Sequence, residues 1–352
     1  MKMIEETLQR IAPVDQIWIE RAAARQLQLT KPPGSLGALE DVANRLAAIR
    51  QTLSPRILRQ RLYVVAADHG VVAEGVSAYP REVTAQMVYN FLRGGAAINV
   101  LARNAGIEVR VVDAGVDADF SDAPGLIQAK VARGTANFTR GPAMTREEAV
   151  RSVTTGIELA RAAAADGVEL LGAGEMGIGN TTAASAITTA LTGLAPEAVT
   201  GYGAGVDDAG LRRKILAVKR ALEINRPDRA DALDVLAKVG GAEIGVMAGV
   251  ALGAAAERIP VVADGFISTS AAALACVFCP NARDYLFIAH RSQEVGHDSL
   301  IEFIGRRPLL DLQMRLGEGT GAALAMPIIG AAARLLGEMA TFAEAGVSDR
   351  GV

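Results

Sequence analysis

Aromatic residues make up only 4% of this 352-residue chain, histidine occurs three times and cysteine twice. Two cysteines, Cys276 and Cys279, cannot staple a fold of this size, and their scarcity points to a reducing compartment, the cytoplasm by default. A basic excess is missing as well: 36 Lys and Arg against 39 Asp and Glu leave a formal net charge of -3. Without a positive surplus to neutralise a phosphate polymer or an anionic surface, nucleic-acid and peripheral-membrane roles are disfavoured. Glu5, Glu6 and Asp15 interrupt the N-terminal stretch, so no export signal is legible there. Uncharged stretches exist at 176–196 and 265–282, but glycines together with Asn180, Thr181, Thr182, Ser268, Thr269, Ser270 and Pro280 break them. They read as buried core and not as membrane spans.

What the chain does have is small residues, 37 Gly and 66 Ala, within an apolar fraction of 50% and a charged fraction of 21%. That balance excludes wholesale disorder and predicts an interior in which backbones approach closely. At about 150 residues per domain the length suggests two domains, or one large domain with an appended piece.

Apolar periodicity predicts helices at both ends: residues 4–29, Leu36 to about Leu53 after the break KPPG, and 321–345 with a kink at Pro327. Between them, apolar runs without alternation predict strands buried on both faces at 62–68, 109–115, 168–174, 259–265 and 284–290. Helical stretches at 83–105, 145–165, 181–193, 207–223 and 241–256 separate them. Strand then helix, repeated, implies an α/β fold with an open parallel sheet and helices on both faces, and places the chemistry in the loops beyond the strands' carboxyl ends.

The richest of these loops is GAGEMGIGNTTAAS, residues 172–185. Glycines followed by Asn180, Thr181 and Thr182 at a helix start bring backbone N–H groups to one spot and predict an anion site, most naturally for phosphate. The segment also matches the G-x-G-x-x-G dinucleotide pattern, but the acidic residue expected at the end of the next strand is replaced by LAPEAVTG. A tight turn without a ligand is the plain alternative. The second Gly-rich loop, 201–206, feeds a helix whose buried stripe is read as Leu211, Ile215, Val218 and Leu222, with Lys214 on its flank. Lys214 is there either a solvated surface lysine or the cation that completes a phosphate clamp. Asp207 and Asp208 suggest the acidic pair of enzymes that use phosphoribosyl pyrophosphate, but GAGV does not supply the buried apolar run that should precede it.

Glu318, between Gly317 and Gly319 at the mouth of an apolar helix, is a partly desolvated carboxylate: a base useful near neutral pH, or a charge favouring the helix N-terminus. His290 and His297 with Glu294 between them invite a metal reading that no tight ligand cluster supports, and Cys276-x-x-Cys279 lies inside an apolar run, as buried packing does. No metal and no cofactor are expected.

Taken in order, KPPGSLG (31–37), AADHGV (66–71), GEMGIGNTT (174–182), GYGAGVDD (201–208), GGAEIGVMAG (240–249), ADGFISTSAAALA (263–275), AHRSQEVGH (289–297) and RLGEGTGAALA (315–325) give the chain a strong resemblance. It resembles the nicotinate-nucleotide:5,6-dimethylbenzimidazole phosphoribosyltransferases, which make α-ribazole phosphate for the lower ligand of cobalamin. The resemblance implies a Rossmann-like sheet domain at 56–309, a small helical domain from 1–55 with 310–352, and a homodimer acting on small molecules. It implies Glu318 as general base, Glu175 beside it, and Gly177, Lys214 and Ser292 on the phosphate. Around these we expect Gly179, Asn180, Thr181, Gly203 and Asp264 to contact phosphate and ribose, and Tyr79, Met87, Met176 and Leu316 to wall the base. Tyr79 and Met87 stand where some members are expected to carry Ser and Gln, and Val295 where Pro is expected, which leaves the identity of the base open. A non-catalytic nucleotide sensor is the competing reading, although two carboxylates in the pocket give such a binder no advantage.

Overall fold

A computed structural model describes residues 1–349, so the last three residues of the expected 310–352 segment lie outside the described part. One 7-stranded sheet runs in the order β3-β2-β1-β4-β5-β6-β7, parallel throughout. Its strands are β1 Gln60–Ala67, β2 Glu108–Gly115, β3 Ile127–Gln128, β4 Leu170–Met176, β5 Val261–Ala263, β6 Leu286–His290 and β7 Pro308–Leu310. From β1 the chain builds outward to β2 and β3, then returns through the helix Arg146–Ala165 to β4 on the other side of β1. The reversal between β1 and β4 opens a crevice at their carboxyl ends, where a sheet of this kind binds ligands.

Both faces are covered, which is why β1 and β4 carry apolar or small residues without alternation. On one face lie Arg146–Ala165, Ala242–Ala256 and Phe266–Phe278; on the other, Thr320–Glu338 packs on β1, β4, β5, β6 and β7 and against Ala38–Arg50 and Ala97–Ala105. The abundance of small residues has its effect where Arg146–Ala165 crosses Ala242–Ala256. A Cβ on Gly156 would overlap the carbonyl oxygen of Val246, and one on Gly249 that of Val153, so the two backbones touch. Thr320–Glu338 is long and apolar enough to cross a membrane by length and composition, but here it is the helix that covers the centre of the sheet.

The chain ends meet on that face. Arg25 Nε donates to the Leu336 carbonyl at 2.8 Å, and the Thr30 N–H donates to the Ala340 carbonyl at 3.1 Å. The first helix, Lys2–Gln9, packs instead against Arg146–Ala165 and Ala242–Ala256 on the opposite face. β7 takes residues from both sides of the expected boundary at 309.

Several boundaries differ from the sequence reading. The helix expected over 4–29 is two, Lys2–Gln9 and Gln16–Gln28, broken around Pro13 and restarted by Asp15, whose side chain accepts the Ile17 N–H at 3.0 Å. The stretch 83–105 splits into Val83–Arg93 and Ala97–Ala105 because Gly94 turns left-handed, with φ 78°. The last long helix stops at Glu338 and contains Pro327, while Phe342–Ala345 is a separate turn. Two short edge strands, β3 and β7, and the helices Ala232–Val239 and His297–Ile304 were not expected. β4 runs to Met176, two residues beyond the expected end at 174, so Glu175 belongs to the strand and not to the loop after it.

Introducing a methyl at the helix crossing, Gly249→Ala, is expected to destabilise the fold by about 1–3 kcal/mol. Gly141→Ala, in open space, should stay within about 0.5 kcal/mol. Urea midpoints of the two variants measure the difference, and equal midpoints would contradict the close crossing.

Candidate active site

The carboxyl ends of β4, β5 and β6 and the turn before Thr320–Glu338 surround a cavity of about 750 Å³. Its wall includes Glu175, Met176, Gly177, Asn180, Thr181, Gly203, Ser292, Leu316 and Glu318, with Tyr79 and Met87 from the β1 side. Eleven of the fourteen residues expected at the site thus line one space. The other three, Gly179, Lys214 and Asp264, stand behind the wall.

Glu318 has φ 64°, between Gly317 at 81° and Gly319 at 87°. Three successive left-handed residues are unfavourable for anything but glycine, so the Glu318 backbone is strained and must be held. Asp264 holds it: from the end of β5, Oδ2 accepts the Gly319 N–H at 3.0 Å and Oδ1 accepts the Ala322 N–H at 2.8 Å. Gly319, at the N-cap, has no side chain to cap the helix, and Asp264 caps it from another strand.

Glu175 ends up opposite because two glycines make way. A Cβ on Gly174 would overlap the Gly319 backbone, and a Cβ on Gly317 would overlap Glu175 Oε1. The Glu175 carboxylate accepts a hydrogen bond from Asn180 Nδ2 at the start of Asn180–Thr192. Burial drives both carboxyl pKa values up, Glu175 to about 8 and Glu318 to about 7. After burial, Glu243 and Asp264 raise Glu175, and Asp264 raises Glu318, by like-charge repulsion.

At the other end, Lys214 is buried and not solvated. Its Nζ donates to the Gly201 carbonyl at 2.8 Å and to Thr181 Oγ1 at 3.0 Å. Burial lowers its pKa to about 8. The stripe of its helix is accordingly rotated from the sequence reading: Lys214, Ala217, Val218, Ala221 and Asn225 face inward, while Leu211, Ile215 and Leu222 are half-buried. The Lys214 ammonium needs polar partners, and the two Gly-rich loops provide them. Gly203, at φ 57°, must be glycine, since a Cβ there would stand 2.8 Å from Lys214 Nζ.

Ser292 is set by His297, whose Nδ1 accepts the Ser292 N–H at 2.9 Å while Nε2 lies 2.9 Å from Thr269 Oγ1. Burial pushes the His297 pKa down to about 3. The ring is therefore neutral, with its proton on Nε2. His69 is paired with Glu243 at 2.6 Å beneath the Gly177 turn, and Cys276 and Cys279 are both buried and unpaired. Asp207 caps its own helix through the Gly210 N–H, and Asp208 accepts from Tyr202, so both acids of the pair that the sequence already disfavours are engaged locally.

Twelve further lining residues are not among the expected site residues, Arg315, Ser268 and Glu294 among them. Arg315 donates to the Gly203 carbonyl at 3.1 Å and brings a cation to the wall. Ser268 lies against β4, donating to the Ala173 carbonyl at 2.8 Å. The sequence offers Glu294 only as a metal ligand between His290 and His297. The signal for Arg315 and Glu294 was their place in the motifs that carry Glu318 and Ser292.

A sheet crevice holding paired buried carboxylates and a Gly-rich cradle with a buried lysine fits a group-transfer enzyme acting on a sugar phosphate. The chain matches the phosphoribosyltransferase family model over residues 11–347 and belongs to that family. The nicotinate-nucleotide–dimethylbenzimidazole phosphoribosyltransferase of Geobacter metallireducens is 58% identical over 347 residues, 99% of this chain and 98% of that protein. Its counterpart in Geobacter sulfurreducens is 57% identical over 349 residues, 99% of each. A crystal structure of the Thermus thermophilus enzyme of that name superposes with TM-score 0.90 at 55% identity, covering 95% of this chain and 99% of the other.

The raised pKa values make stability fall with pH. Folded Glu175 and Glu318 keep protons that the unfolded chain loses near its ordinary 4.5, so their contribution is full below that pH and is lost as pH rises through about 7 and 8. Glu175→Gln should therefore gain stability over the wild type at about pH 8.5 relative to about pH 5, by on the order of 2–4 kcal/mol. Urea unfolding at the two pH values tests this; a pH-independent difference would contradict it.

Proposed function

We propose that the protein transfers the phosphoribosyl group of nicotinate mononucleotide to 5,6-dimethylbenzimidazole or a related base, with inversion at C1′, giving α-ribazole 5′-phosphate and nicotinate. The observation that carries this is the pair of buried carboxylates, Glu175 and Glu318, in one cavity with the Gly-rich loops and the buried Lys214 behind them, a set that suits a phosphate.

The phosphate sits on the turn at Gly177, the start of Asn180–Thr192, Ser292 and the Gly203 loop, with Lys214 supplying charge from behind Thr181. Arg315 adds a second cation. The C1′ carbon is then left near the carboxylates. The lone pair of one base nitrogen attacks C1′ from the face opposite the leaving group. The C1′–N bond breaks toward the pyridinium nitrogen, which leaves neutral, and Glu318 takes the N–H proton from the base's other nitrogen. Glu175 faces the developing positive charge on the ribose. The cationic ring of the bound mononucleotide favours ionisation of both carboxyls, which burial alone opposes.

Met87, Met176 and Leu316 give the base an apolar wall, and Tyr79, half-exposed at the mouth, adds an aromatic face. The protein works as a homodimer in the cytoplasm. Two unpaired cysteines fit a reducing compartment, and the exposed Tyr79, Leu312 and Leu316 offer apolar surface to a second copy.

Glu318→Gln is expected to lower turnover by about 10² or more with little change in mononucleotide affinity, because an amide of the same shape cannot take the proton. Nicotinate release measured with dimethylbenzimidazole tests it, and near-normal turnover would move the base role to Glu175. Lys214→Ala should weaken mononucleotide binding by about 1.5–3 kcal/mol and leave the riboside without phosphate nearly unaffected. Equal losses for both would remove Lys214 from the phosphate site.

A further inference from the structure

Glu294 lines the cavity yet has no part in the chemistry above. It lies in the turn after β6, two residues beyond Ser292, and is only 8% exposed. Its main chain is engaged: the N–H donates to Ser292 Oγ at 3.3 Å, and the carbonyl accepts the His297 N–H at 3.0 Å. Its carboxylate accepts no hydrogen bond among the described residues: Oε2 is closed off against Gly201 without a partner, and Oε1 is the oxygen left open to a ligand in the cavity. Lys214, the nearby cation, turns its Nζ to Thr181 and Gly201 instead. Gly201 makes room for this arrangement, since a Cβ there would stand 2.6 Å from Glu294 Oε2. A buried carboxylate left without donors is unfavourable, and a ligand that brings a donor relieves it.

We propose that Glu294 accepts a hydrogen bond from a ribose hydroxyl of the mononucleotide and makes the enzyme selective for the complete sugar. The proposal rests on the phosphoribosyl-transfer reading. A carboxyl oxygen without a proton accepts hydrogen bonds, so the partner it calls for is a donor. Near neutral pH the phosphate is largely dianionic, and the nicotinate carboxylate and pyridinium ring carry no N–H or O–H. The two ribose hydroxyls are the donors this substrate has. Position agrees, since Glu294 follows Ser292 and adjoins Gly201 and Lys214 on the wall of the same cavity. Charge agrees too: the Glu294 carboxylate would repel a phosphate dianion but is met without repulsion by a neutral hydroxyl. A site built to bond a substrate hydroxyl discriminates against the analogue that lacks it, because the buried acceptor is then left unpaired.

The test compares kcat/KM for nicotinate mononucleotide with that for its 2′-deoxy and 3′-deoxy analogues, in the wild type, Glu294→Ala and Glu294→Gln. The wild type should lose about tenfold or more on removal of one of the two hydroxyls, the scale of a hydrogen bond to a charged group. Glu294→Ala should lower activity on the complete substrate by a similar factor and bring that preference close to one. Glu294→Gln, which keeps an acceptor oxygen without the charge, should retain part of it and decides the matter if the alanine variant fails to fold. A preference unchanged in a folded Glu294→Ala, or in Glu294→Gln where that variant decides, would overturn the assignment. So would an equal loss on all three nucleotides with none on the riboside lacking phosphate, which would mean that Glu294 acts through Lys214 or a phosphate proton. Wild-type nicotinate release from the complete mononucleotide is the control. Its absence overturns the transfer reading and this proposal together, whereas release with unchanged discrimination overturns the Glu294 assignment alone.

Discussion

Asp264 gives both of its oxygens to backbone N–H groups, Gly319 at 3.0 Å and Ala322 at 2.8 Å, and the position of Glu318 follows from those two bonds. The turn they hold is left-handed at three consecutive residues, one of them not glycine. Such a turn persists only where its surroundings over-determine it. Cap, strain and close approach are linked here, because the same turn can lie against β4 only while Gly174 has no side chain and can face Glu175 only while Gly317 has none. Two carboxylates from segments more than a hundred residues apart thereby share one cavity.

The residue that positions Glu318 also tunes it. Burial is the main reason that the Glu318 pKa rises to about 7, and the negative charge of Asp264 adds to it. A carboxyl poised near neutrality is half in the form that takes a proton at the pH where the cell works. Behind the cavity wall, Lys214 obeys the same physics with the sign reversed. Lys214 loses hydration, and its pKa falls to about 8, so it remains mainly cationic near neutral pH while two neutral oxygens, Gly201 O and Thr181 Oγ1, satisfy it. A buried cation without a carboxylate bonded to it is suited to an anionic ligand.

Much of this was legible in the residues. Apolar runs without alternation place the five central strands to within about two residues, because a strand buried on both faces leaves no other pattern. The short edge strands β3 and β7 bury little and leave no such trace. Periodicity overran the helix breaks at Pro13 and Gly94, where a left-handed turn or a missing N–H ends the helix while the apolar spacing continues. In the site, the glycines around Glu175 and Glu318 marked both carboxylates, but their meaning was misplaced. Gly174 serves the approach of a distant turn and not an anion. Lys214 defeats the rule that a lysine on a helix flank is solvated, since the loops that bury it are remote in sequence. Asp264 was expected at the ligand, and only the folded chain places it behind Glu318 as a cap. Glu294 and Arg315 are single charged residues in motifs that other residues dominate, and nothing in spacing alone singles them out.

The central claim is that Glu318 acts as a base because its surroundings hold its pKa near neutrality. The pH dependence of kcat/KM for nicotinate release, followed in the wild type and in Glu318→Gln, tests it most directly. The wild-type rate should rise through an acidic limb with an apparent pKa of about 7, to which burial raises this carboxyl, and the limb should be missing from the residual activity of the glutamine variant. A wild-type profile flat from about pH 5 to about pH 8, or the same limb surviving in Glu318→Gln, would contradict the account.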